Sequence, residues 1–374
     1  MVRTVLLAHP SPDLYGSDRM LLESIDGLLA AGWRVVVTLP RSGPLMPELA
    51  ARGVEVAIVD VPVLRKSLLS PAGLVRLLAT TVRALGPVLR LLRRTRPAVV
   101  YVNTVTIPLW FVAARLTGRP VLGHVHEAEE DVPAPVRIAL ALPLLSASVV
   151  VVNSRASAAA LDVLPGLARK VRLLYNGVTG PPAELPLAAA EPSRLVLVGR
   201  LSPRKGTDVA VAALGLLRDE GFDVGLDLAG SVFPGYEWYE EQLRAQVAAL
   251  GLDGSVRFLG FVADVWAAQA AADVVLVPSR VEPFGNTAVE GQLAGRPVVV
   301  SGTQGLLEIV EAGKTGRGVP PDDAAALAAA VRSLLEDWPR ARELAVAGRD
   351  EARRRFDPAR YRAELADQVA LLAR

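Results

Sequence analysis

The 374-residue chain contains no cysteine. That excludes disulfides, thiolate metal sites and a cysteine nucleophile, and it suits a reducing compartment. Histidine is nearly as scarce, with three residues, so an imidazole metal site has few ligands to draw on. Long apolar runs are missing too. A membrane-spanning helix needs about 20 predominantly apolar residues. The two longest uncharged stretches, Pro97 to Ala114 and Ile138 to Val152, are interrupted by Asn103, Thr104, Thr106 and Pro108 in the first and by Pro143, Ser146 and Ser148 in the second. Both read as core strands and helices. The order G-x-x-x-x-G-K-[ST] does not occur, which argues against a P-loop. No strand–helix turn carries G-x-G-x-x-G, which argues against a classical dehydrogenase. No Asp-x-Asp metal motif stands near a strand end, so no metal is expected.

What is present is an alternation of strand-like and helix-like segments. Val2–Ala8 reads as a first buried strand rather than a signal peptide, because its apolar run stops at His9-Pro10. Ser17 to Ala31 has helical spacing and ends at Gly32, and strand-like runs follow at Arg34–Leu39, Val54–Val59, Ala98–Asn103, Val121–Val125 and Ser148–Asn153. The pattern breaks at Thr179–Pro186, rich in Pro and Gly, and restarts with strands at Leu195–Gly199, Gly225–Ala229, Val256–Leu259, Val274–Pro278 and Pro297–Ser301. Such βαβα alternation predicts parallel sheets covered on both faces. The fold class is therefore α/β, with two Rossmann-like domains facing a deep cleft. The domains are residues 1–180 and 181–355, and a last helical stretch, residues 356–374, packs back on the first. Residues 1–180 carry 20 Lys+Arg against 12 Asp+Glu, and residues 181–374 carry 21 against 27, so +8 and −6 sum to the net +2. A basic first half points to an anionic partner for it.

Two stretches of the second half carry chemistry. In Leu195-Val196-Leu197-Val198-Gly199-Arg200-Leu201-Ser202-Pro203-Arg204-Lys205-Gly206-Thr207, a strand gives way to a basic loop and a helix start, which together make an anion site or else a solvated basic turn. In Pro278-Ser279-Arg280-Val281-Glu282-Pro283-Phe284-Gly285-Asn286-Thr287-Ala288-Val289-Glu290, Gly285 permits close backbone approach and Asn286 suits a helix cap. That helix start offers free N–H groups to a diphosphate. Glu290 lies one turn inside, on the face of Asn286, so Glu282 and Glu290 can hold one ligand from opposite ends, or else be a loop charge and a solvated helix residue. In the first half, Gly123-His124-Val125-His126-Glu127 sits at a strand end, and period-two alternation puts both rings on one face. Two hydrogen-bonded structural histidines fit the same pattern.

With both C-terminal motifs in hand, essentially the whole chain resembles the retaining GT-B glycosyltransferases of the glycosyl-transferase group 1 type (family 4-like). The resemblance implies that Arg200 and Lys205 bind a donor diphosphate, that Glu282 contacts donor sugar hydroxyls near the reacting carbon, and that Glu290 holds the ribose. Backbone N–H groups around Phe284, Gly285 and Asn286 would face phosphate and sugar. His126 matches a donor-sugar-contacting histidine, with His124 supporting it. The family has a glycine pair between the first strand and helix, where this chain has Gly16-Ser17, so Gly16 is carried over and Ser17 is not a match. The implied reaction moves a hexose-type sugar from a nucleotide diphosphate sugar to a glycan or lipid-linked acceptor. It proceeds with retention, with no metal and no cofactor. A sugar-nucleotide epimerase of the same architecture, and a non-catalytic sugar-nucleotide-binding protein, are the competing readings. The first would need a further acid/base pair, and none is identified.

One feature lies outside these motifs. From Leu64 to Arg96 the chain has eight basic residues (Arg65, Lys66, Arg76, Arg83, Arg90, Arg93, Arg94, Arg96) and no acid, with Leu and Val between them. This is an ordinary surface helix with its apolar face in the core, or a helix that touches an anionic lipid surface. Nucleic acid is not expected, because stacking aromatics are missing from the stretch. The expected location is cytoplasmic, peripheral on the inner face of the membrane.

Overall fold

A computed structural model describes residues 2–64, 71–128, 133–186 and 194–374. The chain divides into two compact units, Met1–Gly177 with Pro358–Arg374, and Val178–Asp357. In the first, seven strands form one sheet: β1 (Thr4–Ala8), β2 (Arg34–Leu39), β3 (Glu55–Ile58), β4 (Val99–Val102), β5 (Val121–Val125), β6 (Val149–Val152) and β7 (Val171–Leu173). Their order is β3-β2-β1-β4-β5-β6-β7, and every pairing is parallel. Runs such as Val99-Val100-Tyr101-Val102 are buried at every position because both faces are covered. Alternation along β1 sends Leu6 and Ala8 into one core and Val5 and Leu7 into the other.

The helix Pro358–Leu372 completes this unit. Tyr361, Leu365 and Val369, one turn apart, are each fully buried in the core that also holds Val5, Leu7 and Ile25. Burial of each is worth about 1.5–3 kcal/mol, which holds the chain's last segment to the first sheet. The helix packs on Gly16–Ala30, where a Cβ on Gly27 would come within 2.8 Å of Arg362 Cβ, so Gly27 is what lets the two helices approach.

The second unit repeats the plan with six strands, β8 (Arg194–Val198), β9 (Gly225–Ala229), β10 (Val256–Gly260), β11 (Val274–Val277), β12 (Val298–Ser301) and β13 (Arg317–Val319). The order is β10-β9-β8-β11-β12-β13, again all parallel. Two edge strands of three residues, β7 and β13, are additions to the strands read from sequence. So is the helix Trp338–Arg355, whose start is capped by the side chain of Asp337 accepting from Arg340 N–H at 3.2 Å. Of the basic stretch from Leu64 to Arg96, Arg65 and Lys66 lie outside the described residues, and the remainder falls on and just after the helix Pro71–Thr95.

In each sheet the strand order reverses once, between β1 and β4 in the first and between β8 and β11 in the second. Loops leaving the carboxyl ends of those strands diverge to opposite faces, and the crevice between them is where open α/β sheets bind ligands.

Candidate active site

The two motifs of the second half lie on either side of its reversal. After β8 the chain runs through Gly199, in a left-handed conformation at φ +137°, and a one-turn helix Pro203–Lys205. It then enters the helix Thr207–Asp219 through Gly206 at φ +63°. A Cβ on Gly206 would sit 2.0 Å from the carbonyl oxygen of Pro278, at the end of β11, so only glycine lets the two loops pack. Two hydrogen bonds, one between backbones and one from a side chain, knit them further. Arg280 N–H donates to Arg204 O at 2.9 Å, and Arg204 Nε donates to Val281 O at 3.2 Å. Arg280 then grips Asp208, in the first turn of the helix, at 2.7 Å and 2.9 Å, and reaches Asp322 as well. Burial works to raise the Asp208 pKa, but the bonds from Arg280 and Tyr239 outweigh it and hold the carboxyl below its ordinary value.

This packing brings Lys205 Nζ against Glu282 Oε2 in an ion pair, both side chains being largely screened from solvent. Ser279 Oγ donates to the same carboxylate oxygen at 3.3 Å. Glu282 is also fixed through its backbone by the loop after β12. Its N–H donates to Gln304 Oε1 at 3.0 Å, and its carbonyl accepts Gly305 N–H at 3.0 Å. Gln304 holds a left-handed φ of +41°, a conformation L side chains resist. A Cβ on Gly305 would meet Pro283 O at 2.3 Å. Sequence reasoning did not single out Gln304. Its signal is slight, a polar residue beside glycine just past a valine-rich strand.

Downstream of Glu282, Phe284 is buried and stands edge-on to Phe356, ring centroids 5.6 Å apart. The ring therefore serves the core, and only its backbone is available to a ligand. Gly285, at φ +115°, occupies the N-cap position of the helix Asn286–Leu293. This corrects the expectation for Asn286, which is the first helical residue rather than the cap. Glu290 is buried rather than solvated, one turn into that helix. Arg200, in the same basic loop as Lys205, makes a cation–π contact. Its guanidinium lies over the ring of Phe233, in the loop after β9, 3.0 Å from the centroid.

In the first unit, the chain's three histidines converge on the reversal between β1 and β4. His9 follows β1, Asn103 follows β4, and His126 follows β5. Asn103 Nδ2 donates to His9 Nδ1 at 3.0 Å, which leaves the His9 proton on Nε2, donated to Asp18 Oδ1 at 2.7 Å. Asn103 Oδ1 in turn lies 2.9 Å from His126 Nε2, so His126 carries its proton there and keeps a lone pair on Nδ1. Asp18 reaches back to Tyr15 N–H at 2.7 Å, fixing the helix start at which Gly16 lies exposed. Deeper in, Tyr101 OH lies 2.6 Å from His124 Nδ1 and 3.1 Å from Ser24 Oγ, and Ser24 joins Tyr361 OH at 2.7 Å. His124 and His126 rings are 4.0 Å apart between centroids. Burial, reinforced by the neighbouring His9, pushes the His126 pKa down to about 3, against a smaller opposing pull from Asp18. Burial and His126 push that of His124 well down. Both rings are neutral at pH 7, and His126 presents hydrogen-bonding nitrogens rather than a charge.

Among the described residues no group of three or more His, Asp or Glu is placed to hold a metal. The chemistry at hand is a basic residue poised on a carboxylate at one sheet's reversal and a neutral imidazole at the other's.

The chain is similar to known proteins along both of its halves. Residues 16–177 match the glycosyl transferase 4-like domain, and residues 186–351 match glycosyl transferases group 1. The glycogen synthase of Mycobacterium tuberculosis is 37% identical over 199 residues, 52% of this chain and 46% of that one. The phosphatidyl-myo-inositol mannosyltransferase of Mycobacterium leprae is 39% identical over 167 residues, 44% of this chain and 42% of that one. The chain thus spans about half the length of the curated relatives it matches. Among solved structures, HepE of Anabaena in complex with UDP-glucose superposes with a TM-score of 0.84 at 25% identity, over 98% of this chain and 99% of that one. Two Rossmann-like domains in tandem, each matching its own half of one family's pattern, place the chain among the glycosyl transferases of group 1, with a GT-B-like architecture.

Proposed function

We propose that the protein is a retaining glycosyltransferase that moves a hexose-type sugar from a nucleoside diphosphate sugar to a glycan or lipid-linked acceptor, without a metal. The observation that carries this reading is the Lys205–Glu282 pair at the strand-order reversal of the second sheet, beside the start of the helix Asn286–Leu293. HepE is solved in complex with UDP-glucose, and the basic loop after β8 in this chain suits a diphosphate. An arriving diphosphate competes with Glu282 for Lys205. Once Lys205 turns to phosphate, Glu282 Oε2 is released to accept a sugar hydroxyl. Cation and carboxylate therefore hold each other in place until the donor separates them.

The bond broken joins the anomeric carbon to the leaving phosphate oxygen, and the bond formed joins that carbon to the acceptor oxygen. Negative charge gathers on the diphosphate, where Lys205, Arg200 and the backbone N–H groups at Gly285 and Asn286 stabilise it most in the transition state. The acceptor's proton passes to the departing phosphate, so no separate base is needed. His126, neutral and with its Nε2–H held by Asn103 Oδ1, has Nδ1 to accept from a sugar hydroxyl.

The test is release of nucleoside diphosphate from a panel of UDP- and GDP-sugars, with an acceptor extract, by the wild-type chain and by Lys205→Met and Glu282→Gln. Turnover should fall at least 100-fold in both variants while thermal unfolding stays close to wild type. Wild-type-like turnover in both would overturn the assignment. Isomerised donor without transfer would replace it with an epimerase, and binding without either reaction with a binding protein.

A further inference from the structure

Between Asp60 and Glu127 the chain has no acidic residue at all, and residues 61–126 carry ten Lys and Arg. The centre of this span is the helix Pro71–Thr95, whose outer side is neither core nor simply polar. Val75, Leu78 and Val82 are 71%, 67% and 66% exposed, large apolar side chains left in water at helical spacing. At 100° per residue, Val75, Leu78 and Val82 fall within about 60° of one another, and Arg76, Arg83 and Arg90 form a second stripe alongside, about 80° around the helix from Val75. All three arginines are exposed. The opposite side is buried as usual, through Ala84, Val88, Leu91 and Leu92.

An ordinary surface helix mixes charges of both signs, which supports it through pairs one turn apart. This one carries a single sign beside exposed Val and Leu. That combination desolvates favourably only where apolar matter lies next to anions at one level, which is the boundary between acyl chains and headgroups of an anionic bilayer. We infer that the outer face of the helix Pro71–Thr95 seats the protein on an anionic lipid surface, with Val75, Leu78 and Val82 entering the acyl boundary and Arg76, Arg83 and Arg90 meeting lipid phosphates. Among the described residues no helix is long and apolar enough to cross a membrane, so the contact is one of lying on the surface. The inference goes beyond the transferase reading and uses none of its residues.

The experiment is co-sedimentation of the full chain with vesicles of phosphatidylcholine alone and of phosphatidylcholine with phosphatidylglycerol, at low and high salt. No sugar nucleotide is present, so the result is independent of any turnover. Binding is expected only with phosphatidylglycerol, and it should weaken as salt rises. Each arginine near the surface contributes about fivefold. Arg76→Gln, Arg83→Gln and Arg90→Gln together should then weaken binding on the order of 100-fold, and Leu78→Ser with Val82→Ser should weaken it separately. All five positions are surface positions, and unchanged circular dichroism verifies the fold. Equal binding to both vesicles, no binding to either, or insensitivity to the arginine triple would overturn the inference. So would capture by an acidic polypeptide such as polyglutamate without vesicle binding, which would make the face a protein-docking surface instead.

Discussion

Replacing Gln304 by glycine should separate stability from activity, because its effects on stability cancel while its effect on activity does not. Gln304 sits at φ +41°, where a non-glycine residue costs about 1–2 kcal/mol. Glycine removes that cost but adds about 0.5–1 kcal/mol of unfolded-state entropy. It also deletes the bond from Glu282 N–H to Gln304 Oε1, worth about 1 kcal/mol. The sum is near zero, so the melting temperature should move by no more than about 4 °C. Activity has no such compensation. Gln304 is one of two anchors on the Glu282 backbone, and slackening by an ångström at a reacting centre costs about 100-fold. The expected result is a drop in kcat of about 10- to 100-fold with donor KM within about threefold, since the lost placement matters most in the transition state. Gln304→Leu is the matched control. It keeps the strain and loses the acceptor, so it should lower stability by about 1–3 kcal/mol as well as activity. A Gln304→Gly enzyme with wild-type kcat would show that Glu282 is placed without Gln304. One that unfolds several kcal/mol more easily would show that φ at 304 stores no strain.

Two further substitutions and conditions test the scaffold. Gly206→Ala places a Cβ 2.0 Å from Pro278 O at φ +63° and should cost more than about 3 kcal/mol, whereas Gly254→Ala, with no atom within 4 Å, should be neutral within about 0.5 kcal/mol. Denaturant titration of both checks this, and equal midpoints would refute the claim that glycine locks the two loops together. The histidine pair predicts a pH dependence. Its pKa values are depressed by folding, to about 3 for His126, so the unfolded chain binds more protons below its ordinary 6.5. Stability is then full above pH 6.5 and falls as pH drops below it, at up to about 1.4 kcal/mol per pH unit for each ring. Urea midpoints from pH 7.5 to 4.5 should show a shallower slope in His126→Gln. An unchanged slope would mean that folding does not lower the pKa of the ring.

Much of this was legible in the sequence because the central strands are short, uniformly apolar and followed at once by chemistry. Val274–Val277 ends in Pro-Ser-Arg-Val-Glu, and Arg194–Val198 ends in Gly-Arg. The missed elements lack that contrast. The edge strand Arg317–Val319 is three residues long with one side chain buried. The helix Trp338–Arg355 buries mainly small residues, Ala341, Ala345, Gly348 and Ala352, beneath nine charged ones, so its apolar stripe is faint. Gly348 is there because a Cβ would meet Thr315 O at 2.8 Å.

The His9–Asn103–His126 relay was hidden for a different reason. Its members are separated by up to 117 positions, and only the parallel register of β1, β4 and β5 brings them level. A local trace exists nonetheless. Each residue stands one past the end of an apolar strand, and in a parallel sheet all such positions lie on the same edge. His9 after Ala8, Asn103 after Val102, His126 after Val125 and Asn153 after Val152 all stand on that edge of the first sheet. Gly199 after Val198 and Pro278 after Val277 stand on the corresponding edge of the second sheet, each opening a loop that carries the polar groups. The chemistry of both units is thus written at the strand ends. What sequence alone withholds is which ends are neighbours, and that follows from a strand order whose single reversal sets β1 beside β4 and β8 beside β11.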